Sequence, residues 1–115
     1  MDHKTVEDYI LSMANASRDY PFGEGVAVYK VNDKMFALMQ EGSDPVRLSL
    51  KCDPQLAVIL RERYESVMPG YHLNKKHWNT LLLSGQLEWD EVKGFILHSY
   101  NLVSGVHGAT PAVSS

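Results

Sequence analysis

Apolar and polar residues alternate most regularly in VRLSLKC, residues 46–52. Successive side chains of a strand point to opposite faces, so this segment divides into two sets. The first set is apolar and contains Val46, Leu48, Leu50 and Cys52. The second set is polar and contains Arg47, Ser49 and Lys51. We therefore predict a half-buried strand with a basic outer face.

Apolar residues three or four positions apart predict a first helix that begins at Thr5, as its N-cap, and ends near Ala16. Its apolar stripe contains Val6, Tyr9, Ile10 and Met13. Asp53 and Pro54 start a second helix, because Asp caps helices and Pro favours the first helical position. The expected buried stripe of this helix contains Leu56, Ile59, Leu60 and Tyr64.

A third helix is predicted over residues 89–103, with an inner face of Val92, Phe95, Ile96, Ser99, Tyr100 and Val103. The β-like runs VAVYKV and KMFALMQ flank Asn32 and Asp33, which tolerate positive φ and predict a two-residue hairpin turn. YHL and HWNTLLL predict a second hairpin that turns near Asn74 and Lys75. Because HWNTLLL is apolar on both faces, we expect a central strand, and we consider VAVYKV as an edge.

The resulting order of elements is α-β-β-β-α-β-β-α. Short links between successive strands imply an antiparallel sheet with the helices on one side, so we predict a two-layer α+β domain with about five strands and three helices. Residues 1–104 are expected to form one domain. Residues 105–115 have little to bury and are expected to form a flexible tail.

The chain has 115 residues, a net charge of −3 and one cysteine. A single cysteine excludes an internal disulfide and fits a reducing cytoplasm, where we expect the protein to be located. No run of about 18 apolar residues occurs, so no membrane span is expected. The first ten residues include acids and lack a long apolar run, unlike a signal peptide.

The charge is unevenly distributed along the chain. From Arg47 to His77 basic residues outnumber acidic ones and the segment carries +3, whereas the remainder carries −6. A general nucleic-acid binder is usually basic, so the overall balance argues against that class. The basic segment nevertheless provides a local region where an anionic partner could bind.

Four segments carry a resemblance to a known family: DKMFALM, LSLKCDPQLAVILRERY, VMPGYHLNKKHWNTLLLSG and ILHSYNLV. The most specific part is the run P-x-x-H-L-N-K-x-H-W, followed by a late S-Y-x-L-V. With these motifs the chain resembles the MmcQ/YjbR family of small bacterial proteins from about Thr5 to Val103. The resemblance implies an α+β fold similar to type III secretion chaperones, with a CyaY-like, double-wing arrangement. It also implies DNA binding as the predicted activity.

Metal and catalytic sites are not expected. His72 and His77 could face each other across a turn, but zinc needs three or four converging ligands and Cys52 is expected to point inward. A buried thiol is inert, and no nucleophile elbow or phosphate-binding glycine motif occurs. We therefore expect a non-enzymatic protein without a metal or cofactor.

The candidate site is a nucleic-acid interface built from the strand face and the second hairpin. Its expected members are Arg47, Lys51, His72, Lys75, Lys76, His77 and Trp78. The basic residues would neutralise phosphates, and Trp78 would stack on bases if it is exposed rather than part of the core. Such binding to DNA is expected to be weak and salt-dependent, and its salt slope is expected to fall by about two when Lys75 and Lys76 are both changed to Ala.

The alternative is a protein-interaction or chaperone-like module, a monomer or homodimer, that binds no nucleic acid. An antiparallel sheet with an exposed face allows dimerisation or docking of a protein partner.

Overall fold

The computed structural model describes residues 1–105, so all of the predicted tail except Gly105 lies outside the described residues. The helices are α1 His3–Leu11, α2 Pro54–Arg63 and α3 Trp89–Ser104. The strands are β1 Ser17–Asp19, β2 Val26–Val31, β3 Lys34–Gln40, β4 Val46–Lys51, β5 Val67–Pro69 and β6 Trp78–Leu83.

The strands form one antiparallel sheet in the order β1-β2-β3-β4-β6-β5. The two-layer α+β prediction is confirmed, with six strands instead of five. The extra strand, β1, lies in a stretch that the sequence assigned to a helix end and a loop. It has only three residues, all exposed, and therefore no alternation that could reveal it. Because β1 pairs with β2, the expectation that VAVYKV forms an edge is wrong.

Helix α1 starts and ends earlier than predicted. Its N-cap is Asp2, not Thr5, and the Asp2 carboxylate accepts a hydrogen bond from the backbone N–H of Thr5 at 2.9 Å. The helix ends at Leu11 instead of near Ala16. A carboxylate at the N-cap satisfies one of the free N–H groups of the first turn, which explains why the helix begins there.

Two local signals of the sequence have the predicted geometry. Asn32 and Asp33 have φ of 54° and 62° in the turn between β2 and β3, as a type I′ hairpin requires. Asp53 caps α2 by accepting hydrogen bonds from the backbone N–H groups of Gln55 and Leu56, each at 3.1 Å. Both signals depend on interactions between residues a few positions apart, and tertiary packing overrides neither of them in this protein.

The main core lies between the helices and one face of the sheet. β4 alternates as predicted, with Leu48 fully buried and Arg47 exposed. The buried positions of α3 also follow the prediction, since Ile96 and Ser99 are fully buried. The prediction that Ile59 of α2 is buried is wrong, because this residue is 49 % exposed. Within residues 1–105, no helix is long and apolar enough to cross a membrane.

The second hairpin differs from its prediction. Its first strand is Val67–Pro69, so the YHL segment that we expected to be a strand belongs to the loop formed by residues 70–77. His72 has a positive φ of 58°, which a continuous strand could not accommodate. β6 does lie between β4 and β5, so the prediction of a central strand is confirmed.

Candidate functional site

The sheet face opposite the helices, which we call the open face, carries a small apolar cluster of its own. Its buried members are Val28, Leu38 and Trp78, and its partly buried members are Val26, Met35 and Leu73. Trp78 is only 6 % exposed. Trp78 is therefore part of the packing of this face, and its ring is not available to stack on a base.

Beside this cluster the open face contains a cavity of about 300 Å³, which we call the hollow. The strands contribute Val26, Leu38, Gln40, Arg47, Ser49 and Thr80 to its lining. The loops contribute Phe22, Tyr71, His72 and Leu73. A mostly apolar concave surface with a few polar groups is the usual form of a small binding site.

Two hydroxyl groups connect the hollow to the loop of residues 70–77. Ser49 and Thr80 are opposite each other on β4 and β6, and their hydroxyl oxygens lie 2.8 Å apart. The backbone N–H of Tyr71 donates to the Thr80 hydroxyl oxygen at 3.1 Å. The phenol ring of Tyr71 lies next to the imidazole of His72, with ring centroids 4.0 Å apart. These contacts fix the position of Tyr71 above the sheet.

The loop begins at Gly70, which lies against Trp78. The Gly70 N–H donates to the Trp78 carbonyl at 2.9 Å. A Cβ at position 70 would lie 2.6 Å from the Cβ of Trp78, closer than side chains approach, so the close contact depends on glycine. The Lys75 ammonium donates to the Gly70 carbonyl at 3.0 Å and closes the loop from its other side.

Arg61 of α2 holds the same loop from the helix side, and sequence reasoning gave it no such role. Its guanidinium donates to the Asn79 side-chain oxygen at 2.7 Å and to the carbonyls of Trp78 and Lys75. Asn79 is 1 % exposed and also donates to the carbonyl of Ala57. A polar residue at an inward position of β6 needs a buried partner, and that requirement is the signal that could have pointed to Arg61.

The structure separates the seven predicted site residues into groups. Arg47 and His72 line the hollow, and Lys51 lies on the same strand face as Arg47. Lys75 and Lys76 are both exposed in the loop, and the Lys75 ammonium donates to the Gly70 carbonyl. His77 is partly buried and, like Lys51, Lys75, Lys76 and Trp78, does not line the hollow. None of the ion pairs found within residues 1–105 involves Arg47, Lys51, Lys75 or Lys76.

Potential metal ligands come together away from His72 and His77, the pair that the sequence analysis considered and did not favour as a metal site. His3, Glu7 and Glu41 have ligand atoms within 4.8 Å of one another. The Glu7 carboxylate accepts hydrogen bonds from Arg18 at 2.9 Å and from the Tyr29 hydroxyl at 2.6 Å, and the Glu41 carboxylate accepts one from the Tyr20 hydroxyl at 2.6 Å. Burial acts to raise the pKa of Glu7, but the bonds from Tyr29 and Arg18 outweigh it and keep that pKa below its usual value. The Arg18 cation thus already balances this carboxylate.

Cys52 is expected to be unreactive in the native protein. It is 5 % exposed, and burial, followed by the nearby charge of Asp53, raises the pKa of its thiol to about 12. At neutral pH the reactive thiolate is therefore much rarer than for an ordinary thiol. We expect a thiol reagent to label Cys52 only after denaturant is added, as followed by mass spectrometry. Labelling of the native protein at the rate of a free cysteine would contradict this.

The amino-acid sequence of this chain is similar to those of known proteins. The YjbR family model matches residues 11–102. The uncharacterized protein YbdF of Escherichia coli O157:H7 is 33 % identical over 101 residues, which cover 88 % of this chain and 83 % of YbdF. The uncharacterized protein YjbR of Escherichia coli K12 is 39 % identical over 71 residues, or 62 % of this chain and 60 % of YjbR.

Solved structures show the same fold. The Deinococcus radiodurans protein DR2400, with a DUF419 domain, superposes with a TM-score of 0.86 at 34 % identity, covering 95 % of this chain and 84 % of DR2400. A Pseudomonas syringae protein superposes with a TM-score of 0.78 at 30 % identity, covering 90 % of this chain and 99 % of its own. The names of these proteins assign no ligand, so the function has to be inferred from the site.

Proposed function

This chain belongs to the YjbR family, and we propose that it is a non-enzymatic, cytoplasmic nucleic-acid-binding module that contacts its partner through the open face. The observation that carries the proposal is the hollow, whose lining combines the basic residue Arg47 with the exposed aromatic residues Phe22 and Tyr71. Nucleic acids offer both chemical groups that such a surface binds, a phosphate and an aromatic base.

The basic side chains of β4 extend the interface beyond the hollow. Arg47 and Lys51 lie on the same face of the strand, and a strand rises about 3.3 Å per residue, so their backbones are about 13 Å apart. That distance corresponds to about four nucleotides at the rise of about 3.4 Å of a strand in duplex DNA, and to fewer nucleotides of a more extended single strand. A nucleic-acid backbone that follows β4 could therefore contact both cations. Exposed Lys76 can add a further phosphate contact from the loop.

We expect binding that weakens strongly as the salt concentration rises. For a single strand, each phosphate that the protein neutralises contributes about 0.7 to the slope of log affinity against log salt. Replacing Arg47 and Lys51 together by Ala should therefore reduce the slope by about 1.4. Fluorescence anisotropy with labelled single-stranded and duplex DNA, between about 50 and 200 mM salt, measures this.

The matched control replaces one cation on each of two helices, Arg63 and Lys93, by Ala. It removes the same charge from the other layer of the protein and should leave the slope near that of the parent. Lys75 is unsuited to the test, because its ammonium braces Gly70 and its removal would disturb the loop. An unchanged slope in the Arg47 and Lys51 variant would exclude the open face. Absence of binding by the parent at low salt would overturn the proposal.

The alternative of a protein-interaction module is supported by one observation. Val58 and Ile59, adjacent on α2, are 48 % and 49 % exposed. Pairing through the sheet edges is less favoured, since β1 and β5 have three residues each and β5 ends in Pro69. A stable dimer by light scattering, dissociated by Ile59→Asp and accompanied by no DNA binding, would favour this function instead.

A further inference from the structure

The hollow exposes more aromatic surface than folding alone explains. Phe22 is 63 % exposed and Tyr71 is 55 % exposed, and both line the same cavity. The strands contribute Val26 and Leu38 to the lining of this cavity, so a flat ring entering the hollow would meet apolar surface. Aromatic rings gain most when they pack against another ring or an apolar wall.

The same cavity also offers hydrogen-bonding groups that the protein itself satisfies only in part. Ser49 and Thr80 have two hydroxyl protons between them, and their mutual hydrogen bond uses one. The N–H of Tyr71 occupies a lone pair of Thr80 but no proton. One hydroxyl proton is thus left to donate to a ligand, and the polar residues Gln40 and Arg47 line the same space.

We propose that the hollow holds one unstacked base of a single nucleic-acid strand, with Arg47 contacting the phosphate beside it. The ring would lie against Phe22 or Tyr71, and its edge would meet Gln40 and the free hydroxyl of the Ser49–Thr80 pair. This inference rests on the proposed function and adds to it the structure of the preferred nucleic acid. Contacts to phosphates alone would give no comparable preference for a single nucleic-acid strand over a duplex.

The size and polarity of the hollow favour a base over other flat ligands. A cavity of about 300 Å³ is at the lower end for ligand sites and has room for a small ring system. A Phe side chain of a protein partner would cover the apolar wall but would offer no polar partner to Gln40, to Arg47 or to the remaining hydroxyl proton of the Ser49–Thr80 pair. Such unpaired polar groups weaken binding, whereas the edge of a base satisfies them.

A preference for single strands follows from this geometry. In a duplex the bases are stacked and paired, and a base reaches a protein pocket only after it is extruded from the helix. A single strand needs no such step. We therefore expect the parent protein to bind a single strand more tightly than a duplex of the same length at equal salt.

The test compares three labelled probes by fluorescence anisotropy: a single strand, the same strand with a central run of abasic residues, and the duplex. The abasic strand keeps every phosphate and lacks only bases, so it isolates their contribution. Stacking of one base on an aromatic side chain supports a difference of about tenfold in affinity. We expect the parent to bind the complete strand about tenfold more tightly than the abasic strand.

The variant Phe22→Ala with Tyr71→Ala should bind the complete and abasic strands with equal affinity, at the level of the parent on the abasic strand. Both side chains are largely exposed, so the fold should persist, as thermal unfolding will verify. The control is Tyr20→Ala. Tyr20 lies in the same β1–β2 loop as Phe22, but its side chain does not line the hollow. This variant should keep the tenfold preference.

Two results would overturn the inference while leaving the proposed function intact. They are equal binding of all three probes by the parent and a preference that survives in the Phe22 and Tyr71 variant. A free mononucleotide that binds as tightly as the strand would assign the hollow to a free nucleotide, and would overturn both the inference and the proposed function. If the parent binds none of the probes at low salt, the proposed function fails, and the inference fails with it.

Discussion

Replacing Trp78 by Ala is expected to lower the free energy of unfolding by about 3–5 kcal/mol. The side chain is 6 % exposed and packs with Val28 and Leu38 on the open face. Its removal leaves a void that the sheet cannot close, because the strands on both sides of β6 fix the backbone. Urea unfolding followed by circular dichroism measures the change.

The control for Trp78 is Phe22→Ala, an aromatic truncation on the same side of the sheet. Phe22 is 63 % exposed, so its removal should change the free energy of unfolding by no more than about 0.5 kcal/mol. Trp78→Phe should lie between the two, since the smaller ring fills part of the space. If Trp78→Ala were as stable as Phe22→Ala, Trp78 would not belong to the core, and stacking on bases would again be open to it.

Replacing Arg61 by Ala is expected to lower the free energy of unfolding by about 3 kcal/mol. The change removes the guanidinium bonds to Asn79, Trp78 and Lys75. It leaves the side-chain oxygen of Asn79, a residue that is 1 % exposed, without its charged partner. Leaving such a group buried and unsatisfied is the larger part of the penalty.

The Arg61 variant should also loosen the loop of residues 70–77, because two of the bonds that it removes end on that loop and at the start of β6. Hydrogen exchange of the loop amides should become faster than in the parent. Arg63→Ala, on the same helix but exposed, is the matched control and should change neither quantity. Arg61→Lys keeps the charge but not the planar fork, so it should recover only part of the stability. Parental stability of Arg61→Ala would contradict the role that we assign to it.

The features that the sequence predicted well depend on neighbours along the chain. The alternation in VRLSLKC determines which side of β4 is buried, because a strand turns successive residues to opposite faces. Asn32 and Asp33 determine a tight turn, and Asp53 determines where α2 begins. From such local signals alone, the α+β class, the basic outer face of β4 and the central position of β6 could all be inferred.

Other features were decided only when distant segments met. β1 has no pattern of its own and becomes a strand by pairing with β2, and Ile59 remains exposed although its spacing fits a buried stripe. Residues 70–77 form a loop instead of a strand, and this loop is held by contacts that the local sequence pattern does not show, among them the bonds from Arg61 of α2 to the carbonyls of Lys75 and Trp78.

For the candidate site, too, the sequence determined some features and the tertiary structure determined the others. The composition of the basic segment identified Arg47, and β4 alternation placed it on the open face. The hollow beside it forms only because two separate loops bring Phe22 and Tyr71 to the sheet. The burial of Trp78 likewise depends on Val28 and Leu38 of other strands. A binding surface of this kind is a property of packing between distant residues, which neither periodicity nor spacing encodes.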